Sequence, residues 1–474
     1  MVVSACALHR AFRSRVRRKA LENVASFIAR LYGRRALGKI VIAAANLGTS
    51  DGSADRRRPH VVVMGAGFGG LRVARALRHA PVDVTLIDRH NYHTFLPLLY
   101  EVASAGLEPG EIAQPVRAIL RDIRNVRFRM GEVRRIDLAE RTVLTDAGEV
   151  RYDYLVLAAG SATNFFGLRS IEERALGLKD LQQATAVRNH ILRSFERATL
   201  IEDAVEVARL MTMVVIGGGP TGVELAGALA ELKRHVLPRD YPELDISKAR
   251  VILLEATGHL LAAMPHGLQR KAHEQLQRLG VEVRFEAAVS GMTPAGVALA
   301  SGETISAANV IWVAGVRGEP LAEALPVDLG AGRRVRVLPT LQIPDHPEVY
   351  VVGDLAYLER LDGRPYPLLA QVAMQQGALA AANILRGVNG HPLRTFRYQD
   401  RGTMATIGRR MAVAHVFGLQ FSGLVAWGLW LAIHLIALIG LRNRALVLVN
   451  WTWNYFRYDR ASRLVTDDIS RGEE

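Results

Sequence analysis

One short pattern occurs twice in this chain, and it constrains the fold more than any other feature. The first copy is HVVVMGAGFGGLRVARAL, starting at His60. Val61–Met64 reads as a short buried strand. Gly65, Gly67 and Gly70 follow in a GxGxxG spacing, and helical periodicity then continues through Leu77. A second strand, VDVTLID, ends at Asp88, eighteen residues after Gly70. Each glycine has its own mechanical reason. Gly65 permits the tight turn, Gly67 lets a pyrophosphate approach the backbone, and Gly70 lets helix and strand lie close. The helix N-terminus then faces the phosphates. Asp88 can accept hydrogen bonds from ribose hydroxyls. A lone GxGxxG is weak, but strand, helix, second strand and acidic end in this order predict a dinucleotide site. Its expected contacts are Gly65, Gly67, Phe68, Gly69, Gly70, Asp88 and Arg89.

The second copy is MVVIGGGPTGVELAGALAEL, with Gly217, Gly219, Pro220, Thr221 and Gly222 after the strand Met213–Ile216. ARVILLEA then ends at Glu255, after a longer connection. A carboxylate there favours NADH, because it repels a 2′-phosphate and no arginine follows closely to receive one. A solvated strand end would explain the same residue. Two such units imply two dinucleotides, and FAD with a nicotinamide nucleotide is the natural pair. PEVYVVGDLA (Pro347–Ala356) resembles the late flavin motif, in which a strand delivers Gly353 and Asp354 to the ribityl–phosphate region. YDYLVLAAGS, with Ala159 and Gly160, and ANVIWVAGV, with Ala314 and Gly315, resemble the paired returning strands of such enzymes. The expected architecture is α/β: a discontinuous FAD domain with a Rossmann-like NADH domain inserted into it. The expected boundaries are 59–165 and 318–392 for FAD, 166–317 for NADH, and 393–474 for a membrane-associated end.

The chain holds one cysteine, Cys6. A CxxC redox pair, a thiolate iron–sulfur cluster and a Cys-rich zinc site are therefore excluded. No metal-ligand spacing is present either. Electrons on the flavin must pass to something that diffuses in, such as oxygen, a quinone or another small acceptor.

Five blocks now make a resemblance specific: LIDRHNYHTFLPLLYEVASAGL, VVIGGGPTGVELAGALAEL, AQVAMQQG, YQDRGTMATIGRRMAVA and HLIALIGLRNRALVLVNWTWNYF. In this order the chain resembles the type II NADH dehydrogenases, single-subunit NADH:quinone oxidoreductases that do not pump protons. The likeness covers roughly residues 59–465. It implies hydride transfer from NADH to FAD, then two electrons to ubiquinone or menaquinone. It also implies that AQVAMQQG lines the quinone end of the flavin. Gln371 and Gln375 lie four apart and share a helical face, where amides can hold quinone oxygens without adding charge. Internal hydrogen bonding is the plainer use of the same pair. Glu224 matches a family glutamate near nicotinamide and flavin, which implies an orienting or proton-handling role. Helix-dipole stabilisation alone also accommodates a carboxylate there. Tyr92 and His93 read equally well as packing residues. A homodimer is implied by the resemblance alone. The alternative function is a soluble NAD(P)H-dependent FAD reductase serving another small-molecule or protein acceptor.

Charge and hydropathy place the chain in the cell. The net charge is +14, but residues 1–58 hold thirteen Lys/Arg against three acidic residues. The folded part is therefore not read as a nucleic-acid binder. The basic extension suits a solvated tail, a membrane-surface helix or a targeting peptide, joined by a linker at 51–59. Between Arg410 and Arg442 there is no Asp, Glu, Lys or Arg. The run 423–441 is long enough to span a bilayer. Trp427, Trp430, Leu431 and His434 share a helical face, and tryptophan favours the membrane interface. Docking into one leaflet is the preferred reading, with spanning and burial in a dimer interface as alternatives. It implies a peripheral protein on the cytoplasmic face of a bacterial inner membrane.

Overall fold

The computed structural model describes residues 57–360, 362–457 and 462–466. The basic extension, Cys6 and most of the linker lie outside them. Among the described residues, every sheet lies within Arg58–Glu474.

The chain enters at β1 (His60–Met64), turns into α1 (Phe68–Ala76) and returns as β2 (Asp83–Asp88). β3 (Val126–Met130) and β4 (Tyr154–Leu157) follow. A short strand, β5 (Ser161–Thr163), leads to a second unit: β6 (Leu176–Gly177), α2 (Leu181–Ala198), β7 (Thr212–Ile216), α3 (Pro220–His235), β8 (Arg250–Leu254), β9 (Val281–Arg284) and β10 (Asn309–Trp312). β11 (Val316–Gly318) pairs back antiparallel on β5, closing the insertion. β12 (Gln342–Ile343), β13 (His346–Val351) and α4 (Ala370–Val388) then complete the first unit.

The first sheet has the order β12-β13-β4-β1-β2-β3, and the second β6-β10-β7-β8-β9. Strands from both sides of the insertion thus share one sheet, which makes the first domain discontinuous as expected. Apart from β12, all pairings in the two sheets are parallel. Parallel sheets are covered on both faces, so their strands are uniformly apolar. Val61, Val62 and Val63 are fully buried, as are Met213, Val214 and Val215.

The last part is a three-stranded antiparallel sheet, β14 (Thr403–Gly408), β15 (Met411–Val416) and β16 (Leu419–Ser422), followed by two helices. It is not a loose appendage. Ala405, Ile407, Val413, Trp430 and Val447 share one hydrophobic core with α3. A Cβ on Gly227 of α3 would stand 1.7 Å from the Ile407 carbonyl oxygen, so the glycine is what lets helix and sheet meet.

The apolar run 423–441 is not one helix. α5 spans Leu424–Ala437 and stops at Leu438, which is extended. Gly440 has φ +89° and rests on the Gln114 side chain, and α6 starts at Leu441 and ends at Arg457. No helix among the described residues is long and apolar enough to cross a membrane. The run 423–441 therefore does not form one helix of spanning length, because α5 ends at Ala437 and Leu438 is extended.

The tryptophan face is also corrected. Trp430 is 2% exposed and belongs to the core. It stacks on His434 at 4.1 Å and lies 5.5 Å from the Trp451 ring. This face turns inward and does not supply the interface belt. The outward apolar residues are Leu424, Val425, Leu441, Leu448, Val449, Trp453 and Phe456. On its inner side α6 carries asparagines at 443, 450 and 454. Asn443 Nδ2 donates to the Ala113 carbonyl at 3.1 Å, Asn450 to the Glu111 carboxylate and Asn454 to the Gly106 carbonyl at 3.3 Å.

Candidate active site

The two glycine turns are built alike, atom by atom. Gly65 has φ +101° and Gly217 has φ +119°, conformations a side chain would strain. A Cβ on Gly65 would stand 2.4 Å from the Ala158 carbonyl oxygen, and one on Gly217 would stand 2.9 Å from Ala314 Cα. A Cβ on Gly70 or Gly222 would stand 1.8 Å from the carbonyl oxygen of the first glycine of its turn. Gly67 and Gly219 are different: nothing lies within 4 Å of a Cβ there. Each is exposed and caps its helix without a side-chain hydrogen bond. The first N–H groups of α1 and α3 are therefore left for a ligand. A turn walled by backbone on one side and open on the other, with bare helix donors, fits a pyrophosphate.

The acidic strand ends have a second task that sequence reading missed. Asp88 Oδ2 accepts the Ala66 N–H at 2.6 Å, and Glu255 Oε2 accepts the Gly218 N–H at 2.7 Å. Both carboxylates brace the residue between the first two glycines. Glu255 Oε1 also accepts from the Thr257 N–H and hydroxyl, each at 2.8 Å. Arg89 is exposed. Phe68 meets the rings of His93 and Phe95 edge-on, at 5.2 and 5.9 Å. His93 is buried and bonds through Nδ1–H to the Ala66 carbonyl at 2.9 Å, which fixes the other end of the braced residue. Burial holds this imidazole below its ordinary value, so it stays neutral. Tyr92 stacks on His90.

Gly160 and Gly315 have φ +78° and +73° and follow Ala159 and Ala314 at the ends of β4 and β10. Pro220 and Thr221 are exposed at the start of α3. Gly353 has φ +76°, and its N–H donates to Gln376 Oε1 at 2.7 Å. Gln376, nearly fully buried, is the residue of AQVAMQQG that grips this strand end, although sequence reading chose its neighbours. Asp354 Oδ2 accepts the Ser161 hydroxyl at 2.7 Å, and Arg334 Nε donates to the Asp354 carbonyl at 2.9 Å.

Gln371 and Gln375 share one face of α4, and the structure separates their roles. Gln375 is tied at both ends to Gln399: its Nε2 donates to the carbonyl at 3.0 Å and its Oε1 accepts the N–H at 2.9 Å. Gln371 Nε2 donates to the Gly402 carbonyl at 2.9 Å, but its buried Oε1 has no partner.

Glu224 is 9% exposed and looks across to β14, where the Thr406 N–H approaches Oε1 at 3.3 Å. Burial pushes its carboxyl up to about 8, against the weaker pull of the Thr406 N–H and the Trp430 indole. It lines a half-open cavity of about 110 Å³ together with Glu101, Glu231, Arg409, Trp430 and Trp451. The indole N–H of Trp451 is buried there without a hydrogen-bond partner. The described residues thus supply two phosphate cradles, a gripped acidic strand end, an unpartnered amide carbonyl on α4 and a buried carboxyl with a raised pKa.

Comparison with known proteins agrees with this geometry. Residues 59–377 match the pyridine nucleotide-disulphide oxidoreductase family, and residues 401–457 match the NDH2 C-terminal domain. A type II NADH:quinone oxidoreductase, Ndh of Mycobacterium tuberculosis, is 40% identical over 426 residues, 87% of this chain and 91% of the relative. Its counterpart in Staphylococcus aureus (strain NCTC 8325 / PS 47) is 30% identical over 374 residues, 77% and 92% of the two chains. A solved structure of NDH2 from Plasmodium falciparum in complex with NADH superposes with a TM-score of 0.80 at 18% identity. It covers 87% of this chain and 100% of that one, a likeness of fold.

Proposed function

Because this chain belongs to the type II NADH:quinone oxidoreductases, within the pyridine nucleotide-disulphide oxidoreductases, we propose that it carries electrons from NADH to a membrane quinone without translocating protons. FAD occupies the first cradle and NADH the second. One observation carries this reading: two backbone-built phosphate cradles share a chain with an outward apolar face on α5 and α6.

FAD, when bound, supplies the hydride-accepting and electron-passing chemistry that side chains cannot. The residues do the rest. The bare starts of α1 and α3 receive the pyrophosphates, and Asp88 and Glu255 face the riboses. Glu255 disfavours a 2′-phosphate. Gln371 offers its amide to the quinone, while Gln375 holds the 399–402 segment beside it. The overall reaction consumes NADH, one proton and a quinone and yields NAD⁺ and a quinol. One proton must therefore come from water in addition to the hydride. Glu224, protonated at neutral pH, is placed to hold it.

The outward faces of α5 and α6 lie in one leaflet, with Arg442 and Arg457 available to anionic headgroups. In this reading the enzyme is a peripheral protein with lipid as a partner, and its assignment to the cytoplasmic face of a bacterial membrane follows from family resemblance. A homodimer follows from family resemblance.

Deleting everything after Val416 is a poor test, because it would strip Trp430 from the core. Val449→Ser, Trp453→Ser and Phe456→Ser together remove only exposed apolar area. The triple variant should lose liposome co-flotation and turnover of a long-tailed quinone. Its NADH oxidation by ferricyanide should persist. Unchanged flotation would overturn the docking assignment, and full activity with a soluble protein acceptor alone would favour the soluble-reductase alternative.

A further inference from the structure

Lys179 was not singled out by any sequence motif, yet it occupies a distinctive place. It follows β6 of the second sheet and precedes Asp180, the N-cap of α2. Its backbone N–H donates to Gln183 Oε1 at 2.8 Å, which holds the residue in place. Its side chain leaves this domain. Nζ donates to the Ser161 hydroxyl at 2.7 Å, and that hydroxyl donates to Asp354 Oδ2, also at 2.7 Å. Lys179 Nζ itself stands 3.9 Å from the same oxygen. Three segments meet at one hydroxyl: the start of the inserted domain, the strand that leads into it, and the acidic end of β13, 193 residues from that hydroxyl.

The arrangement is more than a surface ion pair. The side chains of Lys179 and Asp354 are each 27% exposed, and burial pulls the ammonium below its ordinary value while Asp354 opposes this. The serine hydroxyl can accept only because it donates its own proton onward, so the direction of the chain is fixed from ammonium to carboxylate. A charge-assisted bond at each end makes Ser161 a rigid spacer. Asp354 is thereby left with its remaining acceptor positions aimed elsewhere.

We propose that Lys179 is a positioning residue for the flavin: through Ser161 it orients the Asp354 carboxylate and ties the NADH-binding sheet to the flavin-binding one. This rests on the reading of the β13 end as a flavin contact. It goes beyond that reading by assigning a residue of the other domain to the flavin site.

The test uses the full-length holoprotein in detergent. FAD affinity is read from the recovery of free-flavin fluorescence, and the flavin midpoint from a dye-coupled titration. Lys179→Met should raise the FAD dissociation constant about tenfold, equivalent to ~1.4 kcal/mol. It removes one of the two cations beside Asp354, the other being Arg334, so the midpoint should fall by the equivalent of about a tenfold preference, ~30 mV for a two-electron couple. Lys179→Arg should restore the midpoint. Ser161→Ala should weaken FAD about threefold, and the double variant should be no worse than Lys179→Met, since both act through one chain. Wild-type affinity and midpoint in Lys179→Met, or fully additive losses, would overturn the proposal. If Lys179→Met does not accumulate, an unchanged affinity in Ser161→Ala does so. Asp354→Asn separates the two readings. If it loses FAD while Lys179→Met keeps it, only the present proposal fails. If it keeps FAD, the flavin reading of that strand fails as well.

Discussion

Replacing Glu224 by glutamine tests the proton-handling reading and the physics behind it together. Glutamine keeps the shape and still accepts the Thr406 N–H, but it cannot ionise or release a proton. Burial raises the Glu224 carboxyl to about 8 in the folded protein. Unfolded, it returns to the ordinary carboxyl range. A raised value means stability that is complete at acid pH and lost as pH climbs toward the folded value. Each pH unit in that window costs ~1.4 kcal/mol, so passing from pH 5 to pH 8 removes on the order of 4 kcal/mol. The difference between wild type and Glu224→Gln isolates this one group, because other titrations cancel. Urea midpoints of the detergent-solubilised holoprotein, followed by tryptophan fluorescence, should show Glu224→Gln gaining on wild type as pH rises from 5 to 8. Stopped-flow should show flavin reduction by NADH within a few-fold of wild type and quinone-driven reoxidation slowed at least tenfold. Parallel pH curves for the two proteins would mean that Glu224 ionises in the ordinary range. The assignment of the proton to this carboxyl would then be wrong.

Other substitutions probe separate parts of the site. Gln371→Leu removes the unpartnered amide carbonyl of α4, so quinone reduction should fall while flavin reduction stays near normal. Loss of both half-reactions would indicate damage to α4 instead. Glu255→Gln should narrow the NADH preference over NADPH in steady-state kcat/KM. Glu255→Ser with an added arginine should narrow it further, and unchanged selectivity would remove the assigned role. Both Glu255 variants also weaken the brace on Gly218, so the KM for NADH should rise several-fold. Gln375→Ala should loosen the 399–402 segment, a change readable as faster amide exchange there, with flavin reduction unaffected.

The glycine turns were legible because their requirement is local. A missing Cβ at Gly65, Gly70, Gly217 or Gly222 is demanded by backbone a few residues away or on the adjacent strand, and that demand leaves a fixed spacing. Topology was legible for a related reason, since strand, helix and strand in order leave few ways to build a parallel sheet. Gln376, Lys179 and Ser161 were invisible because their partners lie 18 to 193 residues distant and leave no periodicity. The helix face bearing Trp427, Trp430, Leu431 and His434 was found, but its direction was not. Hydrophobic periodicity reports that a face is buried and not whether lipid or protein buries it. The break at Leu438–Gly440 likewise follows no run of polar residues: Gly440 has φ +89°, and Arg444 donates to the Ile436 and Leu438 carbonyls.

The asparagines of α6 have a consequence for how this helix keeps its orientation. In water, an apolar stripe tells a helix which side faces inward. Against a bilayer that cue vanishes, because lipid tails are as apolar as leucine. A helix held only by leucines could then roll about its axis at little cost. Asn443, Asn450 and Asn454 restore the distinction, since hydrocarbon offers their amides no acceptor while the 106–113 segment offers two carbonyls and a carboxylate. In the proposed docking, membrane contact therefore strengthens the preference for the observed rotation, and α6 becomes more sharply oriented at a lipid surface than in solution.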